Sequence, residues 1–543
     1  MNYAKHFAKP PTQRQQARGE VANNAGGFTF PVDDWTRLGR FLVLGSEGGS
    51  YYVGERKLTR DSAKVVERLL KVNGPEVVNK VVEISTEARA PKNDPALFAL
   101  AMCLKLGDSE TRAVAKAAVP MVARTGTHLF HLAEYVKAFG GWGRGTQAAF
   151  ASWYNSLAPG QLAYQAVKYQ QRDGWSHRDL LRKIHLVPTP EKAGVLSWMV
   201  KGWPGVGPQP HPDKDLQLIW AFEKAKAARG KELVKLITDY RLPHECVPNE
   251  AKGDPAVWEA MLPSMGVTAL IRNLGKMTSI GLIKPLSDAT RAVREKLEDV
   301  ELIRKGKVHP LQILVAQRVY GQGHGDKGSL KWTPEMRVID ALNKAFYASF
   351  KAVEPTGKRT LLALDVSGSM GSPDIAGMPG VTPRIGAAAM ALVTANVEKE
   401  HGFIGFTAGG TGFYSGGRTL YGSGGVSVLQ ISPQQRLQEV VDYTAKLPFG
   451  GTDCSLPMLW ATANKIPVDV FCVYTDSETW AGNVKPVTAL QQYRQKMGIG
   501  AKLVVVGMVA NEFTIADPTD AGMLDVVGFD TATPSILADF ARE

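Results

Sequence analysis

Cysteine is scarce in this chain of 543 residues: Cys103, Cys246, Cys454 and Cys472 stand far apart, with no CxxC pair. That excludes a disulfide framework and a cysteine zinc knuckle. Each lies in or beside an apolar run and reads as a buried free thiol of a reducing compartment. Long apolar runs are missing too, none approaching the ~20 residues that a membrane span needs. Residues 1–24 are polar and basic without an apolar centre, so they do not read as a signal peptide. A cytoplasmic protein with no membrane contact is expected. Catalytic signatures are equally sparse: there is no His-Glu-x-x-His, no Gly-x-Ser-x-Gly and no glycine loop ending in Gly-Lys-Ser/Thr.

What is plentiful is positive charge, unevenly placed. The net charge is +12; residues 1–350 carry 50 Lys and Arg against 34 Asp and Glu, and residues 351–543 carry 14 against 18. A basic first part suggests a polyanion partner, although a merely solvated basic surface has the same composition. A chain of this length exceeds one core and should divide. Residues 1–25 read as a flexible basic arm. Over 26–350, helix follows helix. Val65, Val66, Leu69 and Leu70 show the i, i+3, i+4 spacing of one face, and similar patterns recur at 76–87, 94–106, 110–124 and 128–138, then from 162 to 296. Short breaks and no strict period predict a degenerate HEAT-like solenoid. Over 351–543, strands at 360–366, 402–407, 469–475, 502–508 and 525–529 alternate with helices, several opened by proline. That is a doubly wound α/β domain.

The first chemical constellation sits at the carboxyl end of the first of these strands. Leu361-Leu-Ala-Leu-Asp-Val-Ser-Gly-Ser-Met370 runs from apolar residues into Asp365, Ser367 and Ser369, at the sheet edge where open α/β folds bind ligands. One carboxylate and two hydroxyls suit a hard divalent cation such as Mg²⁺, which keeps several waters. Taken alone, the serines could equally cap the next helix. Phe449-Gly-Gly-Thr-Asp-Cys454 adds Thr452, and Val468-Asp-Val-Phe-Cys-Val-Tyr-Thr-Asp476 adds a second strand-terminal carboxylate, Asp476. In that order the five residues resemble the metal-ion-dependent adhesion site (MIDAS) of von Willebrand factor A domains.

The second lies in 167–185, where five Lys/Arg and two His are interleaved with two aromatics. Lys168 and Arg172 are spaced as i, i+4 neighbours on one helix face, able to grip successive phosphates. Tyr169, Trp175 and His185 are candidates to stack on bases. A solvated helix over core aromatics would look much the same. Ser176 or Trp175 could instead simply start the next helix.

Several motifs now fall in order: Gly45-Ser-Glu-Gly-Gly-Ser-Tyr-Tyr52, Ala90-Pro-Lys-Asn-Asp-Pro95, Gly174-Trp-Ser-His177, Arg272-Asn-Leu-Gly-Lys-Met277 and Val353-Glu-Pro-Thr-Gly-Lys358, leading into Asp365. The set resembles the Ro autoantigen family, in which a TROVE module of HEAT-like helices is closed into a ring by a C-terminal von Willebrand A domain. The resemblance runs from about residue 34 to the end and suggests a bacterial Ro orthologue. It implies a monomeric ring that binds small noncoding Y RNA on its outer surface through Lys168, Arg172 and His185. Its hole would admit single-stranded 3′ ends of misfolded or immature RNA. Asp365, Ser367, Ser369, Thr452 and Asp476 would hold the metal, and the exoribonuclease polynucleotide phosphorylase would be a partner in RNA maturation and decay. Residues 371–382 and the glycine-rich 408–425 depart from the family pattern and flank the metal edge.

Two other readings compete with a non-catalytic RNA-binding ring. A metal-dependent phosphohydrolase or nuclease would need a denser carboxylate set than Asp365, Asp476 and Asp453. A protein-adhesion module, its metal recruiting an acidic side chain from a partner, is compatible with RNA binding.

Overall fold

The computed structural model describes residues 11–45, 63–325, 329–350, 353–372, 374, 381–408, 424–447 and 450–543. They fall into two compact units. One takes 66–88 and 93–349; the other takes 89–92 and 350–543 together with the described part of 1–65.

The chain enters through two short antiparallel strands, β1 (Val21–Ala22) and β2 (Phe28–Pro31). Helix Asp34–Leu44 follows; the Asp33 side chain caps it by accepting from the amides of Trp35 and Thr36. All of this belongs to the second unit. Residues 11–25 therefore do not trail as the expected flexible arm; residues 1–10 lie outside the described residues. Gln13 and Asn23 are fully or nearly buried, and their side chains are held by groups more than 400 positions further on.

The first unit is helical, as its periodicity predicts. Lys64–Thr86 joins two of the expected helices across a kink at Asn73, just before Pro75. Asp94–Leu106 packs on Gly126–Ala138, Ser109–Val122 on Arg144–Ser156, and Pro159–Lys168 on Lys214–Ala225. Pairing beyond the nearest neighbour is how stacked helical repeats bury a continuous core. Phe130, Phe150, Trp153 and Tyr154 fill that core here. One break in the helical series matters for function. After Lys168 a two-stranded hairpin forms, β3 (Gln171–Arg172) against β4 (Trp175–Ser176). Its two-residue loop is Asp173-Gly174, both with positive φ (52° and 76°), as the tight type I′ turn requires.

The second unit is built on a six-stranded sheet. Its strands are β5 (Thr360–Asp365), β6 (His401–Phe406), β7 (Val426–Val428), β8 (Val470–Thr475), β9 (Lys502–Gly507) and β11 (Met523–Val527); β10 (Phe513–Thr514) pairs instead with β2. The sheet order is β11-β9-β8-β5-β6-β7, parallel throughout except for the edge strand β7. β5 and β8 are buried at every position, so they read as unbroken apolar runs. Leu361, Ala363, Phe471, Val473, Leu503 and Val505 line one core face. From β5 the chain goes to β6 on one side and later to β8 on the other. That reversal is the topological switch point where such sheets bind ligands.

Candidate functional sites

The carboxyl ends of β5 and β8 bring the five residues of the first constellation to one edge. Asp365 ends β5 and is fully buried; Oδ1 accepts from the Ser367 amide at 2.9 Å and Oδ2 from the Thr475 hydroxyl at 2.6 Å. The Ser367 and Ser369 hydroxyls lie 3.0 Å apart. The turn carrying them is tied to helix Pro383–Val397, where Arg384 donates to the carbonyls of Val366 and Ser367, each at 3.0 Å. Asp476 follows β8, and its Oδ1 accepts from the Glu478 amide at 3.0 Å. The carbonyl of Thr452 accepts from the amides of Trp480 and Ala481, which locks its loop to the one after Asp476.

Two buried oxygens are left over. Thr452 Oγ1 and Asp476 Oδ2 have no hydrogen-bond partner among the described residues, a state that costs stability unless something supplies the missing contact. The electrostatics point the same way. Burial, then the Asp365 carboxylate, then Glu478 push the Asp476 carboxyl up to about 8, against the Ser369 hydroxyl and the Glu478 amide. Burial also raises Asp365, opposed by its bonds to Ser367 and Thr475. Two buried, mutually repelling carboxylates, with an unpartnered oxygen on Asp476 and another on Thr452, and neutral serine hydroxyls are a donor set that suits a hard divalent cation. Of the two flanking departures, 373, 375–380 and 409–423 lie outside the described residues.

The second constellation is arranged differently from the spacing expected of it. Helix Pro159–Lys168 ends at Lys168, and Arg172 lies beyond it in β3, so the two do not share a helix face. Lys168 Nζ bonds the Tyr164 hydroxyl at 3.2 Å and sits over the Tyr164 and Tyr169 rings. Trp175 is buried, its indole donating to Glu134 at 2.9 Å, so it is no platform for a base. Ser176 does cap the next helix, in a reciprocal box with Asp179. That helix, His177–Ile184, buries His177, Leu180, Leu181 and Ile184 and turns Arg178 and Arg182 outward, with His185 at its left-handed C-cap. Positions 178, 182 and 185 follow the i, i+4, i+7 pattern of one face. The exposed Arg172, Arg178, Arg182 and Lys183 have no ion-pair partner among the described residues. Arg178 and Arg182 were therefore missed as individual site residues; their spacing with His185 was the available signal.

The architecture is that of a helical-repeat module joined to a von Willebrand A domain, and comparison with known proteins agrees. A TROVE domain model matches residues 21–201 and 240–358, and a Ro60 von Willebrand A model matches 359–541. The chain is 42% identical over 541 residues to "RNA-binding protein RO60" of Deinococcus radiodurans, covering 98% of this chain and 97% of that one. It is 35% identical to the Caenorhabditis elegans protein of the same name, covering 98% and 91%. The crystal structure of the Deinococcus Ro (RSR) protein superposes with a TM-score of 0.69 over 94% of this chain. This chain belongs to the Ro family.

Proposed function

We propose that this protein binds RNA without catalysing a reaction on it. The observation that carries the reading is the hairpin-and-helix surface 171–185, where four exposed cations have no ion-pair partner among the described residues and so can neutralise phosphates. The names of the two relatives support it. In its finer form, Lys168, Arg172 and His185 contact a folded, Y-like small noncoding RNA on the outside of a monomeric ring. Single-stranded 3′ ends enter the hole, and the protein serves RNA quality control, maturation and decay in the cytoplasm with polynucleotide phosphorylase. Arg178 and Arg182 join the same surface.

The second part of the proposal is that Asp365, Ser367, Ser369, Thr452 and Asp476 hold Mg²⁺, with Thr452 Oγ1 and Asp476 Oδ2 among its oxygens. Bound there, the cation would supply an open position for an acidic group of a protein partner. The reading is of a binding site, and no turnover is expected: a metal-dependent hydrolase would need a denser carboxylate set than Asp365, Asp453 and Asp476 supply.

Fluorescence anisotropy with a hairpin RNA and a single-stranded tail, at one salt concentration, tests the RNA reading. Lys168→Ala/Arg172→Ala should weaken the hairpin by roughly tenfold, in line with two lost phosphate contacts, and the tail much less. Equal loss for both ligands, or none for either, refutes the two-surface form. Salt-independent binding refutes phosphate recognition altogether.

A further inference from the structure

Resting on the cation reading above, we infer that residues 11–27 are a working part of that site, with Gln13 and Asn24 acting as positioning residues for Thr452 and Asp476. The segment lies along the two loops that carry these ligands, and it holds each loop next to the ligand itself. Gln13 is the hub. Its Nε2 donates to Asp453 Oδ1 at 2.7 Å and to the Val484 carbonyl at 2.8 Å, its Oε1 accepts from the Thr479 hydroxyl, and its own amide donates to the Gly482 carbonyl at 3.2 Å. Asp453 adjoins Thr452. Thr479 Oγ1 accepts in turn from the Cys454 amide at 3.0 Å. One side chain thus bridges both loops.

Further along, the segment reaches the other ligand. Asn24 Nδ2 donates to Glu478 Oε1 at 2.9 Å and the Ala25 amide to Glu478 Oε2 at 3.2 Å. Glu478 is the residue whose amide orients Asp476. Asn23 Nδ2 donates to the Thr479 carbonyl at 2.8 Å. The approach is as close as backbone allows: a Cβ on Gly27 would sit 2.0 Å from the Thr479 carbonyl oxygen, and one on Gly482 would sit 2.4 Å from Gln13 Nε2. The buried pair Lys485–Glu20, at 2.6 Å, pins the middle of the segment. Groups of this kind around a metal fix the orientation of its ligands, and their loss commonly weakens binding by about 10- to 100-fold. Coupling of this kind is reciprocal: if the docked segment favours the cation, the cation must favour docking.

The test uses the full-length protein and Mg²⁺. Titration calorimetry should find Gln13→Ala binding Mg²⁺ about tenfold more weakly than the unaltered protein. Asn24→Ala, at an exposed position that leaves the core untouched, should show a smaller loss of about threefold. Hydrogen exchange of amides 11–27 should slow on adding Mg²⁺, and Asp365→Ala should abolish that slowing; a segment with only a structural role would exchange equally with and without the ion. Unchanged Mg²⁺ affinity in both variants, or Mg²⁺-independent exchange in a protein that does bind the ion, overturns this inference alone. Failure of the unaltered protein to bind Mg²⁺ overturns the cation reading and this inference with it.

Discussion

The basic surface at 168–185 and the oxygen cluster at the ends of β5 and β8 handle charge in opposite ways. The first keeps its guanidinium groups in water and lays them over a buried, neutral layer: His177, Tyr154 and Trp153 lie in the core of the same unit. Hydration makes those cations cheap to maintain, and a polyanion can still reach them. The second takes two carboxylates out of water; the Arg384 charge only partly offsets the burial that raises Asp365, and the arrangement is costly unless a further counter-charge arrives. The lesson is that an exposed charge can wait for its ligand, whereas a buried one is organised around it.

Acid should separate the two most strongly. Burial lowers His177 to about 4; burial, then Arg124 and His131, lower His128 to about 3. Both are neutral in the folded helical unit and titrate near 6.5 when it unfolds. Their contribution is therefore complete above 6.5 and lost as pH falls through that value toward 4 and 3. For His177 alone this is roughly 3 kcal/mol. Urea midpoints of the helical transition, measured from pH 7 to 4, should fall steadily. A flat profile would mean that the imidazoles are not held neutral beneath the basic surface.

A charge-reversing pair, Arg178→Glu/Arg182→Glu, sharpens the contrast further. It should weaken hairpin RNA by about 100-fold, because the two guanidinium groups are exposed and have no ion-pair partner among the described residues. Asp365→Ala should leave RNA affinity unchanged in the same anisotropy assay. Loss of RNA binding in Asp365→Ala, with the fold intact, would break the separation of roles.

The smallest effect concerns the cost of the buried carboxylates themselves. Asp476→Asn removes the repulsion from Asp365 and should stabilise the protein in EDTA by about 1 kcal/mol. Mg²⁺ should no longer raise its melting temperature. A destabilised Asp476→Asn protein in EDTA would show that the carboxylate is satisfied by the protein alone.

The α/β unit was readable because its signals are local. Thr360–Asp365 and Val470–Thr475 are unbroken apolar runs, each meeting an aspartate at its end, and a strand buried on both faces can hardly be written otherwise. The cluster followed from the order of five residues. The i, i+4 reading of Lys168 and Arg172 failed because it carried the helix past Lys168 into the strand Gln171–Arg172, although the Asp173-Gly174 that follows itself encodes a hairpin turn. The arm failed for the opposite reason. Gln13, Glu20 and Asn23 are ordinary polar residues to their sequence neighbours, and only Asp453, Lys485 and Thr479 make them core. No window of sequence contains both ends of such a contact.

That contact also sets a schedule. Gln13 cannot meet Val484 until 471 more residues have been added. At the usual ~5–20 residues per second of synthesis, the beginning of the chain is on its own for roughly 25–100 s. The entire helical unit emerges and can fold during that interval. A polar, basic opening segment is what such a wait demands, since an apolar one would find other chains first. The composition that made residues 11–25 look like a tail is thus the composition of a piece that must stay soluble until its place has been made.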